Sequence, residues 1–581
     1  MGSQAPQPSS VADIRRRIRV ALGEEPGDLM LDGGNVVNVF TGKVEPANIV
    51  IAGEWIAGVG PHVWRAKRTI PLDGAFVLPG LIDAHIHVES TLLMPGQLAR
   101  LIVPRGTTTL VADPHELANV LGVRGIELLA NASRHLPFDL FCMASSCVPA
   151  VSWDDAGAVL GPSEVTSLLD RPYVLGLAEV MDIPAVLHAE ERVLKKIHEA
   201  SVRRRVVDGH APHLSGLALQ AYVAAGIRSD HESTTQEEAR AKAALGMLVQ
   251  VREGSAEHNL DDLLPAIVAG DLGDWCLASD DVLPTDLRAR GHIDHLLKRV
   301  VAGGVVASEA VRHATLIPAR HYGLTDRGAI APGYRADLVV VSDLGDFSVS
   351  HVIKNGALVA QQGRLLDTPG ESHRQSWENT IRPGPVTEDS FVLNVSSSNV
   401  PVICLVQGQI VTRKARMEIS VANGRWVFRA DQDVQLAASI ERHRGSGRIG
   451  LGLVSGFRLR KGALGSSVAH DSHNLIVVGT NSKDMYLCVR ALERMGGGFV
   501  VACDGDVIAE LPLPVAGLLA DDDVDVVCQR LAAVDAAARE LGFPWEAPFG
   551  YLSFLALPVI PELRITDQGL FDVTSQQFLA L

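Results

Sequence analysis

Val77-Leu-Pro-Gly-Leu-Ile-Asp-Ala-His85-Ile-His87-Val-Glu-Ser90 decides the architecture. An apolar run ends by delivering two histidines two residues apart, and side chains alternate across a strand, so His85 and His87 point the same way. Two imidazoles on one face can chelate one divalent metal. The competing reading is a pair of surface or hydrogen-bonded histidines at a strand end. Pro79-Gly80 ahead of the run and Asp83 beside the pair favour a buried strand opening into a loop, and with it the metal.

Working outward, residues from about 79 to 325 alternate apolar strand-like runs with helical stretches. Thr107-Thr-Thr-Leu-Val-Ala112, Tyr173-Val-Leu-Gly-Leu-Ala178, Val206-Val-Asp-Gly209 and Trp275-Cys-Leu-Ala278 are strand candidates, and Glu190-Glu-Arg-Val-Leu-Lys-Lys-Ile-His198 is a helical one. Such alternation over about 250 residues predicts a (β/α)₈ TIM-like barrel. Parallel strands are buried on both faces, which accounts for the continuous apolar runs.

In such a barrel, catalytic groups sit at the C-terminal ends of the strands. Nearly every run finishes in a metal-type ligand: His85 and His87, Asp113-Pro-His115-Glu116, Glu179, His210 and His213, Asp230-His231-Glu232, and Asp280-Asp281. One such terminus alone reads as structural; six at the same topological position are hard to explain by packing. His85, His87 and Asp280 can bind one ion, His210 and His231 a second, and Glu179 can bridge the two. Two ions about 3.5–4 Å apart polarise a water and stabilise charge on the attacked atom. Asp280 is then both ligand and general base, taking the proton of the water and passing it to the leaving group. Glu116, Asp182, His213 and Asp281 are read as neighbours of the ligands rather than ligands, and Glu89 and Ser90 as candidates to face a substrate.

The flanks differ in texture. Leu29–Gly34, Asn35–Phe40, Ala47–Ala52 and Trp55–Val59 are short β-prone runs with turn signals, and a matching set returns in Ile330–Ser342 and Val352–Val359. Both sets together predict one β-sandwich assembled around the inserted barrel. The expected division is an N-terminal tail and helix (1–24), a split sandwich (25–78 and 326–385), the barrel (79–325) and a further α/β domain (386–581). In the last, Ile449–Ser455 and Asn474–Thr480 are Gly- and Val-rich runs. Ser467-Val-Ala-His470-Asp-Ser-His473-Asn474 packs two histidines, an Asp and an Asn into one turn-like segment, read either as a lid over the barrel mouth or as a hydrogen-bonded loop. Gly496-Gly-Gly498 is a turn, too short for a dinucleotide fingerprint.

Composition fits a soluble multidomain enzyme: 581 residues, 47% hydrophobic and 21% charged, enough to bury several cores. A net charge of −16 argues against a nucleic-acid binder, since phosphate contacts need clustered Lys and Arg. Arg15–Arg19 and Arg203–Arg205 are the only strong basic runs and read as solvated faces. No apolar run reaches the ~20 residues that cross a bilayer, and no secretory leader is evident, so a cytoplasmic location is expected. Seven scattered cysteines without a Cys-x-x-Cys pair predict reduced thiols rather than a disulfide scaffold or zinc ribbon.

These residues carry a resemblance. Gly80-Leu-Ile-Asp-Ala-His85-Ile-His87, the later strand-end ligands and the split sandwich resemble the amidohydrolase superfamily. Within it, His85–Ser90, Asp113–Glu116, Gly176–Asp182, Asp208-Gly-His210-Ala-Pro212, Ser229–Ser233, Ser279–Asp281 and Ser467–Asn474 resemble the bacterial adenine deaminase family, over nearly the whole chain after the first two dozen residues. Dihydroorotases and hydantoinases usually bridge their metals with a carboxylated lysine; here that strand ends in Glu179, with no lysine until Lys195. The resemblance implies hydrolytic deamination, in which a metal-activated hydroxide adds to C6 of adenine and ammonia leaves. The implied cofactor is a divalent pair, Mn²⁺ or Fe²⁺, with Zn²⁺ also compatible with the donors. It implies Asp280, Glu179 and His115 as catalytic: Asp280 shuttling a proton, Glu179 as ligand and proton donor, His115 orienting the nucleophile or stabilising the tetrahedral intermediate. Glu89, Ser90, Asp113, His470 and His473 are the substrate-binding candidates. The implied partner is the purine alone, with neither nucleic acid nor membrane, and a homodimer or larger homo-oligomer is expected. The alternatives are a hydrolase of another cyclic amide or imidazolone, or a non-catalytic scaffold of the same fold.

Overall fold

A computed structural model describes residues 10–367 and 376–581. The expected N-terminal tail lies outside them except for Ser10, whose side chain caps the helix Val11–Ala21. Strands β1 (Gly27–Asn38), β2 (Lys43–Ala52), β3 (Trp55–Gly60), β4 (Ala66–Pro71) and β5 (Phe76–Pro79) precede the barrel. The barrel strands are β6 (Leu81–Ile86), β7 (Thr107–Ala112), β8 (Asp139–Ala144), β9 (Val174–Val180), β10 (Val206–Gly209), β11 (Ser229–Asp230), β12 (Leu248–Arg252) and β13 (Trp275–Ala278). Strands β14 (Leu338–Val341), β15 (Val349–Lys354), β16 (Ala357–Gln361) and β17 (Arg364–Leu365) follow it.

The flanking strands form one nine-stranded sheet in the order β17-β16-β15-β14-β5-β1-β2-β3, with β4 pairing β1. The chain thus leaves this sheet at β5, builds the barrel and returns beside β5 at β14. The sheet folds over itself: Ile56 N donates to the Tyr334 carbonyl and Ala336 N to the Glu54 carbonyl, each at 2.8 Å. Alternate residues Leu29, Leu31, Ile49, Ile51, Leu338, Val340 and Ile353 then meet in one core. The two runs expected at Leu29–Gly34 and Asn35–Phe40 are a single strand with a bulge, its register slipping between Leu31 and Gly34. Gly33, at φ +73°, supplies the left-handed residue that such a bulge uses.

Eight parallel strands close the barrel. β6 to β10 and β11 to β13 pair in sequence order. Arg228 N joins β11 to the Val207 carbonyl of β10 at 2.9 Å, and Asp280 N joins the end of β13 to the His85 carbonyl of β6 at 3.0 Å. The C-terminal domain is an eight-stranded sheet within 399–512, followed by a three-stranded one within 563–579. The helix Val524–Leu541 buries Val527, Leu531, Val534, Ala538 and Leu541, a helical stripe packed in one cluster with Phe499, Val501 and Leu511. No helix among the described residues is long and apolar enough to cross a membrane. All seven cysteines are free.

Candidate active site

The strand ends of the barrel converge. β6 is buried at every residue and His87, just past its end, is buried too, so His85 and His87 cannot turn to solvent and instead face the barrel axis. Asp83, one turn of the pleat below, accepts from Ser279 Oγ at 2.5 Å and faces His292 Nε2 at 2.9 Å, which ties β6 to the end of β13. Tyr222 fixes the next pair: its hydroxyl donates to the Val180 carbonyl at 2.6 Å and accepts from His210 N at 2.9 Å, joining the ends of β9 and β10. Asp280 takes a left-handed backbone, φ +55°, at the point where β13 gives way to loop. That conformation is strained for a residue with a Cβ and is held here by the bond from its N–H to β6.

Within this frame, Glu179 points both ways. Its Oε1 lies 3.5 Å from His87 Nε2 and 3.4 Å from His115 Nδ1; its Oε2 lies 2.7 Å from His210 Nδ1 and 3.2 Å from His231 Nε2. Asp280 Oδ1 lies 3.1 Å from His87 Nε2 and 3.5 Å from His85 Nε2, while its Oδ2 accepts from Arg252 at 2.8 Å. His87 Nδ1 donates to the Asp113 carbonyl at 3.0 Å, which leaves Nε2 with its lone pair aimed inward. The two Nε2 atoms of His85 and His87 are 3.2 Å apart.

These separations suit shared cations. Donors held ~2.1 Å from one ion at tetrahedral or octahedral angles are about 3.0–3.4 Å from each other. Three-residue donor sets of this kind are His85, His231 and Asp280; His85, His87 and Glu179; Glu179, His210 and His231; His87, Asp280 and Asp281; and Asp113, His115 and Glu179. Asp113 Oδ2 and His115 Nδ1 face each other at 3.3 Å, yet both are buried without a hydrogen bond. Buried polar atoms left in this state call for a further ligand.

Charge supports the same conclusion. Glu116, Glu179, Glu232, Glu257, Asp280, Asp281 and Asp471 line one pocket against a single arginine, Arg252. Burial opposes the charge on Glu179, yet His231 and His210 hold its carboxyl well below the ordinary carboxylate range. Burial likewise opposes the charge on Asp280, which His85, His87 and Arg252 keep ionised. Conversely, burial pulls His231 down, but Glu179 lifts it to about 9. The carboxylates draw positive charge onto the imidazoles, as a site that binds cations must. His and carboxylate donors without thiolate fit manganese, iron or zinc.

The structure gathers His85, His87, His115, Glu179, His210, His231 and Asp280 into this one cluster, with Asp113 beside His115 and Asp281 beside His87. Ser90 donates to Asp281 Oδ1 at the edge, and Glu89 accepts from Leu117 N at 3.0 Å behind Glu116. His470 reaches the pocket from the C-terminal domain, its Nδ1 2.9 Å from Glu116 Oε1. His473 lies deeper, 3.7 Å from Glu116 Oε2, and is fully buried. Two residues stay apart: Asp182 caps the helix Ile183–Leu187 and pairs with Arg192, and the His213 side chain is 76% exposed. Sequence reasoning missed Arg252 and Glu257, and gave Asp471 no role of its own although it lies in the His470–His473 segment that stood out. Arg252 ends a strand as the ligands do, but an arginine fails a search for metal donors; Glu257 and Asp471 sit in loops that no periodicity marks.

The roof comes from the C-terminal domain. Ile410, Phe554, Leu557, Val559 and Ile560 close the pocket over the carboxylates, and the His470 ring stacks on Phe554 with centroids 4.5 Å apart. Only about 50 Å³ of void remains inside.

Comparison with known proteins agrees. Residues 76–359 match the amidohydrolase family, and residues 409–577 match the adenine deaminase C-terminal domain. The chain is 43% identical over 563 residues to adenine deaminase 2 of Carboxydothermus hydrogenoformans, covering 97% of this chain and 98% of that one. It is 45% identical over 561 residues to the adenine deaminase of Methanothrix thermoacetophila, covering 96% and 98%. Among solved structures, a β-aspartyl dipeptidase of Fervidobacterium islandicum aligns with a TM-score of 0.46 at 16% identity, over 60% of this chain and all of that one.

Proposed function

The chain belongs to the adenine deaminase family of amidohydrolases, and we propose that its barrel mouth hydrolyses adenine to hypoxanthine and ammonia. The observation that carries this reading is the two-way Glu179: one carboxylate serving two sets of imidazoles, with Asp280 beside it, beneath an apolar roof. His85, His87 and Asp280 would hold one divalent ion and His210 and His231 a second, with Glu179 reaching both. Mn²⁺ or Fe²⁺ is the proposed pair, and the donors also accept Zn²⁺. The ions, when bound, supply Lewis acidity that makes a water nucleophilic at neutral pH.

The remaining work belongs to side chains. In the overall exchange, water oxygen becomes bonded to C6, the C6–N bond breaks, and the two water protons finish on ring N1 and on the departing ammonia. Asp280, whose carboxyl is held against the cost of burial well below the ordinary carboxylate range by His85, His87 and Arg252, is the base that accepts the first proton and returns it to the amine. Glu179 holds the donor sets in register and is the second carboxylate within reach of a proton in transit. His115, between Asp113, Glu179 and Asp471, is held as a cation by these carboxylates and steadies the negative charge that builds on the ring nitrogens as oxygen adds to C6. Arg252 fixes Asp280 by its second oxygen, so that Oδ1 stays turned to the reacting centre. Ile410, Phe554 and Leu557 exclude bulk water. The proposed setting is a cytoplasmic enzyme of purine salvage or catabolism, assembled as a homodimer or larger homo-oligomer.

The test is protein supplied with Mn²⁺ or Fe²⁺ and incubated with adenine, with hypoxanthine and ammonia measured together. Equimolar formation of both is expected; intact adenine over a metal-loaded protein would overturn the substrate assignment and direct attention to other cyclic amidines and amides.

A further inference from the structure

Arg564 is among the largest fully buried side chains of the protein, and among the described residues no carboxylate pairs with it. Its guanidinium donates only to main-chain carbonyls: Nε to Ile560 at 2.7 Å, Nη1 to Phe554 at 2.5 Å, and Nη2 to both Ile410 and Pro561 at 2.9 Å. Burying an unpaired cation is costly unless its hydrogen bonds are met, and the planar fork of arginine can span several acceptors at once where an ammonium cannot. The choice of acceptors is informative. Ile410, Phe554 and Ile560 all roof the pocket over Glu179 and Asp280, and they come from two segments about 150 residues apart in the chain. On the far side of Ile410 and Phe554 lies an outer cavity of about 860 Å³, walled in part by Arg564 itself. The partition between that cavity and the reaction site is therefore held together at one side chain.

We propose that Arg564 is a positioning residue for substrate: by gathering the carbonyls of Ile410, Phe554, Ile560 and Pro561 it sets the apolar face on which the flat heteroaromatic ring lies over the barrel mouth. The inference rests on the deaminase reading, because it takes a planar purine as the occupant. Arg564 touches neither the metal-binding side chains nor the reacting atoms. Its removal should loosen the seating of the ring and leave the water-activating groups as they are. That face binds the ring in the ground state and the transition state alike, so its loss is felt mainly in KM.

The experiment uses full-length, metal-loaded protein with adenine as substrate, comparing wild type with Arg564→Met and Arg564→Lys. Arg564→Met is expected to keep the wild-type metal content and to raise KM at least about tenfold, with kcat changed much less. Arg564→Lys, whose point charge cannot span four carbonyls, should fall between Met and wild type. Should the Met variant fail to fold, the Lys variant decides. A wild-type KM in any variant that folds, or a loss confined to kcat or to bound metal, overturns the proposal. Failure of the wild type itself to deaminate adenine would instead strike the functional reading on which it rests.

Discussion

Two buried charge clusters sit at opposite ends of the barrel, and they are built on opposite principles. At the N-terminal end, where the barrel meets the split sheet, Asp139, Asp326 and Asp337 face Arg327, Arg335 and Lys354, three against three. Lys354 Nζ lies 2.6 Å from Asp139 and 2.7 Å from Asp337, and Arg335 Nε lies 2.7 Å from Asp326. Burial opposes the charge on Asp139, but Lys354 and Arg327 hold its carboxyl far below the ordinary range. At the C-terminal end, seven carboxylates share one arginine, and Asp113, His115, His231 and Glu257 carry buried polar atoms without hydrogen bonds. A cluster that serves the fold neutralises itself; a cluster that serves chemistry is completed by what it binds.

The sharpest way to break this contrast is to remove charge from each end in turn. Asp280→Asn should lower kcat by about 10³-fold or more, since it deletes the base, while some metal stays bound to the histidines. Ammonia release and metal analysis on the same samples check this, and a fully active variant would remove Asp280 from its role. At the other end, Lys354→Met leaves Asp139 and Asp337 short of a cation and should cost about 3–5 kcal/mol of stability, with kcat per folded molecule unchanged. Thermal and denaturant unfolding beside steady-state kinetics separate the two effects. A Lys354→Met protein that folds normally but turns over slowly would mean that the two ends are not independent.

Acidity sharpens the comparison further. His231 is held near 9 by Glu179, so in the metal-free site it carries a proton below that pH and must lose it to become a ligand. Metal affinity should therefore rise with pH up to about 9, by up to about tenfold per unit for each proton displaced. Calorimetry in buffers of different ionisation heat reads the protons released, and a pH-independent affinity with no proton release would contradict the assignment. A second pH effect is expected at Glu257, which burial, Asp281 and Asp280 push up to about 8. Its acid is retained in the folded state above the pH at which the unfolded chain gives it up. The folded protein thus loses stability as pH rises from about 4.5 to 8, the range between the two values. Metal-free Glu257→Gln should melt slightly higher than metal-free wild type at pH 8, with the difference closing toward pH 4.5.

Legibility followed the same division. The ends of β6, β9, β10 and β13, which carry the proposed ligands, stand out in the sequence because buried parallel strands are apolar runs and a histidine or carboxylate at the end is conspicuous. β11 has only two residues and carries no period, although the Asp230-His231-Glu232 that follows it was conspicuous. β8 and β12 were not among the expected strands; β8 opens on Asp139, whose partner Lys354 is 215 residues away, and β12 ends on Arg252, which pairs with Asp280 28 residues on. The roof was the least readable part. Ile410, Phe554, Leu557 and Ile560 look like any core residues, and only the folded chain brings them over the barrel, with the carbonyls of Ile410, Phe554 and Ile560 bonded to Arg564. Of that region, the His470–His473 segment was visible because two histidines in a turn are unusual, yet sequence left open whether it reached the site; His470 lies 2.9 Å from Glu116.

The central claim is that the carboxylate-rich end is completed by two divalent ions and then deaminates adenine. Stepwise addition of Mn²⁺ to metal-free protein, with bound metal and hypoxanthine measured in the same samples, tests it most directly. Turnover that climbs with added metal and levels off at two equivalents per chain is the predicted result. Full activity in the metal-free protein, or two tightly bound equivalents with adenine left intact, would contradict it.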